Sequence, residues 1–388
     1  MKKLLSGLLA AALAVSMIGC GAGGGETTED TDPNTQSTAA TEAQKKEVPT
    51  ISMSWGNEMH TGIMYIPFLA PELFEDQAIR IKPVSGADLG ELQVDGVTIA
   101  NIERVVTKGG SECATMMGQG NLDVALTSST AMMTAYDVGT DISILSPIQS
   151  DGVAIAARAD APYNTFLEFV EYAKASEQPI KAGYHSAISS PRIVLESVMK
   201  ESGLKVTEDA SDLTADVVMV DLKGVQNLVP SLSSGQVEIW AGPAPHPQNA
   251  EESGVGKIIS TLNELPGGKW ANFPCCCFAA RNQLIEEYPE VMEALGTVIT
   301  YVCDYANANP EHTGELLSEI VGVEKDILPK SLIVYGTEPN DTFINGIHIY
   351  YDAMKEMGKF SGKMIENDFD TAKDELFSFE IMERVNQK

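Results

Sequence analysis

The sequence predicts an α/β fold of two like lobes joined by two crossing strands. Three observations predict it. Short apolar strands alternate with helical stretches, the pattern that builds layered α/β domains. One order of pieces occurs twice, once in each half of the chain. Two apolar strands are left over, each following the fourth strand of its half.

The first stretch is not part of that fold. The chain opens with MKKLLSGLLAAALAVSMIGC, two lysines followed by an apolar run and small residues. This reads as a bacterial export signal over residues 1–19, too short and wrongly flanked for a membrane span. MIGC resembles the lipobox of bacterial lipoproteins, with Met17 where leucine is usual. The resemblance implies that Cys20 is the lipidated first mature residue. Residues 21–47 lack apolar periodicity and are rich in Gly, Thr and acids, so residues 20–47 form the anchor and a flexible tether. The folded body is then expected at the outer face of the bacterial cytoplasmic membrane.

The 388 residues carry a net charge of −29, and removing Lys2 and Lys3 with the signal makes the mature chain more acidic still. Such a body repels nucleic acid and anionic lipid, so an anionic ligand needs local donors. The cysteines are Cys20, Cys113, Cys275, Cys276, Cys277 and Cys303. With Cys20 assigned, an odd number remains. No spacing resembles a zinc site, and adjacent cysteines are poorly placed to chelate one ion together. A disulfide is compatible with export, but its partners are not deducible.

In the first half, TISMSWG is a strand opening into a polar loop and IRIKPV is a second strand. GSECATMMGQGNLDVALTSS reads as a helix, a glycine turn and a third strand, and DISILSPI as a fourth. In the second half the same roles fall to PIKAGYHS, DVVMVDL, GVQNLVPSLSSGQVEIWAGPAPH and GKIISTL. The sharpest repeat aligns GQGNLDVALTSS with LSSGQVEIWAGPA: a glycine, then Asp123 or Glu238, then an apolar strand. Glycine ends the helix in a left-handed turn. The leftover strands are GVAIAARAD and CCCFAARNQ. If each lobe lends a strand to the other, the hinge lies near residues 148–153 and 264–276. The lobes then comprise residues 48–151 with 266–388, and residues 152–265. Residues 86–110 contain LQVDGVTIANI, which alternates around Asp95-Gly96 and predicts a β-hairpin decorating lobe one. After residue 283, Leu295, Val298, Ile299 and Val302 make a helical apolar stripe, and the rest reads as helices wrapping lobe one.

In open α/β sheets, ligands bind beyond the carboxyl ends of the strands. This selects the loops after strands one and three of each half: Trp55, Gly56, Asn57 and His60; Ser128, Ser129 and Thr130; His185, Ser186, Ser189 and Ser190; Pro243 and His246. Asp151 sits at the hinge. Ser190-Pro191 predicts a helix start with Ser190 as its cap, and that helix end offers N–H groups to an anion. Arg192 either adds charge to the ligand or pairs with Glu196 one turn on. Trp55 either stacks on a flat ligand or closes the core. The cleft histidines lack the nearby acid and His-rich loop of a zinc protein, so no metal or cofactor is expected. The cysteine strand reads as a buried crossing strand, with Cys276 or Cys275 on the cleft wall.

The lipobox, GQGNLDVAL, SSGQVEIWAGPAPH, FPCCCFAARNQLIEEYPEVMEAL and the two-lobe order resemble periplasmic-type substrate-binding proteins of ABC importers. Within these, the chain is similar to the nitrate/sulfonate/taurine and thiamine-precursor binding group over roughly residues 49–305. The resemblance implies a type II Venus-flytrap fold without catalysis. It also implies a monomer that takes a small polar or anionic molecule to a permease. No GxxxxGK[ST] occurs, so the ATPase is a separate chain. PCCCFAA also partly resembles the Cys-Cys-Cys-Phe-Cys signature of fungal pyrimidine synthases, with Ala279 in place of the last cysteine. That leaves two alternatives: an extracytoplasmic enzyme of pyrimidine or cofactor metabolism, and a ligand-sensing receptor subunit with the same clamp.

Overall fold

A computed structural model describes residues 48–387, apart from 323 and 327. The expected signal, Cys20 and the tether lie outside the described residues. Strands β1 (Thr50–Ser54), β2 (Ile79–Ser85), β3 (Leu89–Val94), β4 (Val97–Arg104), β5 (Val124–Ser128) and β6 (Ile142–Ser150) build the first sheet. The chain then crosses. Strands β7 (Val153–Arg158), β8 (Ile180–Tyr184), β9 (Val206–Thr207), β10 (Val217–Asp221), β11 (Ile239–Pro243) and β12 (Gly256–Thr261) build the second. It crosses back for β13 (Pro274–Arg281) and β14 (Val334–Tyr335), which complete the first. The orders are β14-β6-β13-β5-β1-β4-β3-β2 and β12-β7-β11-β8-β10-β9. This is a two-lobed α/β fold, and both leftover strands lie inside sheets. β7 pairs antiparallel with β11 and β12, and β13 runs antiparallel between β5 and β6.

The repeated acid has one job in both lobes. Asp123, entering β5, accepts hydrogen bonds from the backbone N–H and hydroxyl of Ser52 in β1. Glu238, entering β11, accepts the backbone N–H of Lys181 in β8. Each carboxylate thus ties the third strand of its lobe to the first. The preceding glycines, Gly120 and Gly235, have φ of +73° and +71°, as left-handed helix ends require.

The hairpin differs from expectation. Asp95 and Gly96 both have positive φ, and β3 and β4 pair antiparallel around them. Yet β4 is no ornament: it pairs parallel with β1, the place expected for IRIKPV, while β2 lies at the sheet edge. The turn chemistry was local and readable. Which strand wins the place beside β1 was a matter of tertiary competition.

The two crossings are bonded to each other. The N–H of Asp151 donates to the Phe273 carbonyl at 3.0 Å, and the N–H of Phe273 donates to Asp151 Oδ1 at 3.3 Å. Gly152 follows with φ of +72°, and its carbonyl accepts from Ala244 N at 2.7 Å. The helices Pro289–Ala308, Pro310–Val321 and Asp341–Glu356 follow β13. Leu295, Val298, Ile299 and Val302 are all buried. Among the described residues, no helix is long and apolar enough to cross a membrane.

A Cβ on Gly152 would fall 2.2 Å from Ile333 Cγ1 and 2.8 Å from His60 Nε2. Gly152→Ala is therefore expected to lower the urea-unfolding free energy by more than the roughly 1–2 kcal/mol that a left-handed residue costs. Gly86→Ala, with φ of +52° and open space around it, should lose only that backbone share. Equal losses at the two positions would contradict the packing described for the crossing.

Candidate functional site

A cavity of about 410 Å³ lies between the lobes. The first lobe lines it with the loops after β1, β4 and β5 and with the start of β13. The second lobe lines it with His185, Ser189 and Pro191 after β8, with Val225 and Gln226, and with Pro243 and His246 after β11.

Glu58 organises the first loop. Its carboxylate accepts from His60 N, Thr61 N and the Thr61 hydroxyl, and so caps the short helix Met59–Gly62. Thr61 Oγ1 in turn accepts from Gly56 N at 2.8 Å. Burial raises the Glu58 carboxyl above its ordinary range. His60 is buried, and its Nε2 lies 2.9 Å from the Gly152 carbonyl, as a donor would. This bond ties the first loop to the crossing.

The jaws touch through short polar side chains. Ser111 Oγ and Ser186 Oγ are 2.8 Å apart. Thr130 donates to the Ile188 carbonyl at 2.6 Å, and Ser190 to the Cys275 carbonyl at 3.2 Å. Met59 N–H donates to the Ala244 carbonyl at 3.0 Å.

Nine of the residues selected from the loops line the cavity: Gly56, Asn57, His60, Ser128, His185, Ser189, Pro243, His246 and Cys276. Seven do not. Trp55 is buried in the core, stacked on Phe68 and edge-on to Tyr65. Ser129 is fully buried. Thr130, Ser186 and Ser190 are the cross-lobe clasps just described. Asp151 belongs to the crossing and lines a separate cavity of about 360 Å³. The cap of the helix Ser190–Glu201 is Ser189, not Ser190, and Ser189 spends its hydroxyl on the Ser186 carbonyl.

Arg192 turns away from the cavity. It is buried, donates to the Ala187 carbonyl at 2.8 Å, and stacks 3.9 Å over the Tyr184 ring. It pairs with Glu208 and more loosely with Glu196, so the expected Glu196 pair exists but is the weaker one. Lys359, after the helix Asp341–Glu356, joins both acids. A first-turn arginine opposes the helix dipole by only about 0.3–1 kcal/mol. Two carboxylates and an aromatic face outweigh that.

Sequence reasoning passed over Glu58, Thr61, Lys108 and Gln226, all in the lining. Lys108 was readable in principle, since it follows a strand and precedes a helix. Glu58 gave no signal beyond its place in the loop.

Three buried polar atoms of the lining have no hydrogen-bond partner: Ser128 Oγ, His185 Nδ1 and His246 Nε2. They come from both lobes. A buried polar atom left unpaired costs roughly 1–3 kcal/mol, so native sites complete such atoms with a ligand or water.

A family model described as the NMT1-like family matches residues 82–321. The chain belongs to the NMT1-like family. It is 29% identical to an uncharacterized protein of Methanocaldococcus jannaschii over 110 residues, 28% of this chain and 76% of that one. Solved structures share the fold at low identity. The ligand-binding component of an ABC-type import system from Staphylococcus aureus, with zinc bound, has a TM-score of 0.66 at 13% identity, covering 88% of this chain and 100% of that one. The nitrate-binding protein NrtA of Synechocystis has a TM-score of 0.65 at 14% identity, covering 88% and 89%. The alkanesulfonate-binding protein SsuA of Xanthomonas axonopodis pv. citri, bound to MOPS, has a TM-score of 0.60 at 12% identity, covering 81% and 95%. The two-lobed architecture of this NMT1-like chain is thus that of periplasmic binding proteins.

Burial, followed by the neighbouring His246 and His60, pushes His185 down to about 3. Burial and then His60 hold His246 at about 4. Both are neutral near pH 7, able to donate from one ring nitrogen and accept at the other. An unfolded histidine takes up its proton near pH 6.5. Between there and the folded values, the unfolded chain holds more protons. The stability these groups contribute is complete above about pH 6.5 and is lost as the pH falls toward 4 and 3. The unfolding free energy from urea titrations should therefore drop between pH 7 and pH 5, by up to about 1.4 kcal/mol per pH unit for each histidine. His246 gives the smaller share, because part of it meets solvent. Replacing both by glutamine should shrink the drop; an unchanged drop would contradict this reading.

Proposed function

We propose that the chain is an extracytoplasmic solute-binding protein of an ABC importer, capturing one small polar or anionic molecule between its lobes. The observation that carries this is that Ser128, His185 and His246, which line one interlobe cavity from opposite jaws, each hold a buried polar atom without a partner: Oγ, Nδ1 and Nε2. A solute with a polar head completes all three at once, which favours the closed jaws over the open ones.

The ends of three helices support a polar or negatively charged head. The helices Gly110–Gly118, Ser129–Asp137 and Ser190–Glu201 all begin at the cavity wall, where Gly109, Ser128 and Ser189 are their caps. Their amino ends carry partial positive charge. Lys108 is the lysine of the lining. Val106, Leu126, Val225, Ile320 and Val321 offer an apolar flank to the rest of the molecule.

In this reading Gly56, Asn57, His60, Ser128, His185, Ser189, Pro243, His246 and Cys276 bound the solute site. Asn57 acts as scaffold, because Tyr65 and Arg104 already donate to its side-chain oxygen at 2.6 and 2.9 Å. Export and lipidation at Cys20 hold the monomer at the outer face of the membrane. There it hands its cargo to a permease driven by a separate ATPase. The likeness to transport components, rather than to enzymes, favours this over the catalytic alternative.

Thermal unfolding with a panel of sulfonates, pyrimidines and carboxylates tests the proposal. One class should raise the melting temperature, by an amount equivalent to about 2.7 kcal/mol at a hundred times its Kd. Ser128→Ala and His246→Ala should each weaken that solute about tenfold or more, the worth of one buried hydrogen-bond partner. A panel that leaves the melting temperature unmoved, or variants that bind as well as the parent, would overturn it.

A further inference from the structure

The start of β13 carries a feature that solute capture does not use. Pro274 and Cys276 face the consecutive residues Ser150 and Gln149 of β6, so Cys275 is an extra residue, a β-bulge. In a regular strand, adjacent side chains point to opposite faces. The bulge instead brings Cys275 and Cys276 to one side, where both line the cavity and their Sγ atoms lie 3.9 Å apart. A ring nitrogen of His60 and the two sulfurs all lie within 4.8 Å of one another, and all three residues are buried.

From this geometry we propose that His60, Cys275 and Cys276 form a binding site for one thiophilic d10 metal ion, zinc(II) or copper(I), with a coordination position open to the cavity. Zinc–sulfur bonds of about 2.3 Å at a tetrahedral angle place two sulfurs about 3.8 Å apart, and the observed separation is 3.9 Å. Soft thiolate and imidazole donors select these ions over calcium or magnesium. Three protein ligands and one free position make an open site.

The surroundings hold the donors in place. Nε2 of His60 donates to the Gly152 carbonyl, which leaves Nδ1 as the ring nitrogen to take a metal once its proton is released, the usual arrangement of a ligating histidine. The bulge's backbone groups are satisfied from three sides. Ser190 donates to the Cys275 carbonyl, Cys276 N–H donates to Gln149 Oε1 at 3.0 Å, and Tyr350 donates to the Pro274 carbonyl at 3.0 Å. A direct bond between the two sulfurs is disfavoured. Adjacent Cα atoms are about 3.8 Å apart, below the range of about 4.4–6.8 Å that unstrained disulfides span. The sequence-based expectation that adjacent cysteines serve one ion poorly assumed a regular strand, and the bulge removes that assumption.

The site lies in the wall of the proposed solute cavity, but its test needs neither solute nor permease. The reduced, metal-free protein is titrated with zinc(II), and anaerobically with copper(I), against a chromophoric chelator. One ion per chain is expected, with cobalt(II) giving the near-ultraviolet charge-transfer absorption of thiolate ligation. Cys275→Ser, Cys276→Ser and His60→Asn should each weaken binding at least about 100-fold, since even an outer-shell loss costs about 10–100-fold. Cys303→Ser should bind as the parent does, because Cys303 is buried elsewhere, its sulfur near the Ile148 carbonyl. Circular dichroism checks that each variant folds. The parent's cobalt spectrum decides the matter if one does not. The proposal fails if the parent shows no thiolate–cobalt bands, if ions bind equally well to the Cys275→Ser/Cys276→Ser double variant, or if the purified protein holds a Cys275–Cys276 disulfide.

Discussion

Two strand crossings, hydrogen-bonded to each other, constrain everything else in this molecule. Asp151 and Phe273 exchange bonds between the outgoing and returning chains, so the two sheets share one seam. The buried apolar core runs through that seam from the first sheet into the second, with a smaller separate cluster around Leu228, Leu232 and Trp240. The loops at the carboxyl ends of β1, β5, β8 and β11 then face one another across the gap. His60 reports the seam's position directly, because its ring bonds to the crossing at Gly152 while its neighbours form the cleft floor.

The cleft is built from few charges and many short polar groups. A chain this acidic gains nothing from long-range attraction of anions, so its donors are local: helix amino ends, hydroxyls and neutral imidazoles. Among the described residues the most deeply buried guanidinium, Arg192, is spent on Glu208, Glu196 and the Tyr184 face, outside the cavity. Lys359, which follows the helix Asp341–Glu356, bridges Glu208 and Glu196, the latter on the helix that Ser189 caps.

Much of the fold was legible because its signals are local. Glycine turns mark Gly120 and Gly235, Asp95-Gly96 marks a hairpin, and the acids at Asp123 and Glu238 repeat because they make the same bond. The site was legible at the level of loops and not of side chains. A strand-end tryptophan fits a ligand wall and a core equally well, and only Phe68 and Tyr65 decide for the core. Ser189 and Ser190 both precede Pro191 acceptably, and contacts to Cys275 and Ser186 assign their roles. The bulge at Cys275 exists only as a mismatch in pairing with β6, which no reading of β13 by itself contains.

Whether a single solute is held by atoms from both jaws is read out by native mass spectrometry of protein purified without denaturation. One small-molecule adduct per chain is expected in the parent, lost when His185 and His246 are both replaced by alanine. An adduct that survives the double replacement, or a parent that neither carries a solute nor takes one up from a cell extract, would contradict a grip from both jaws.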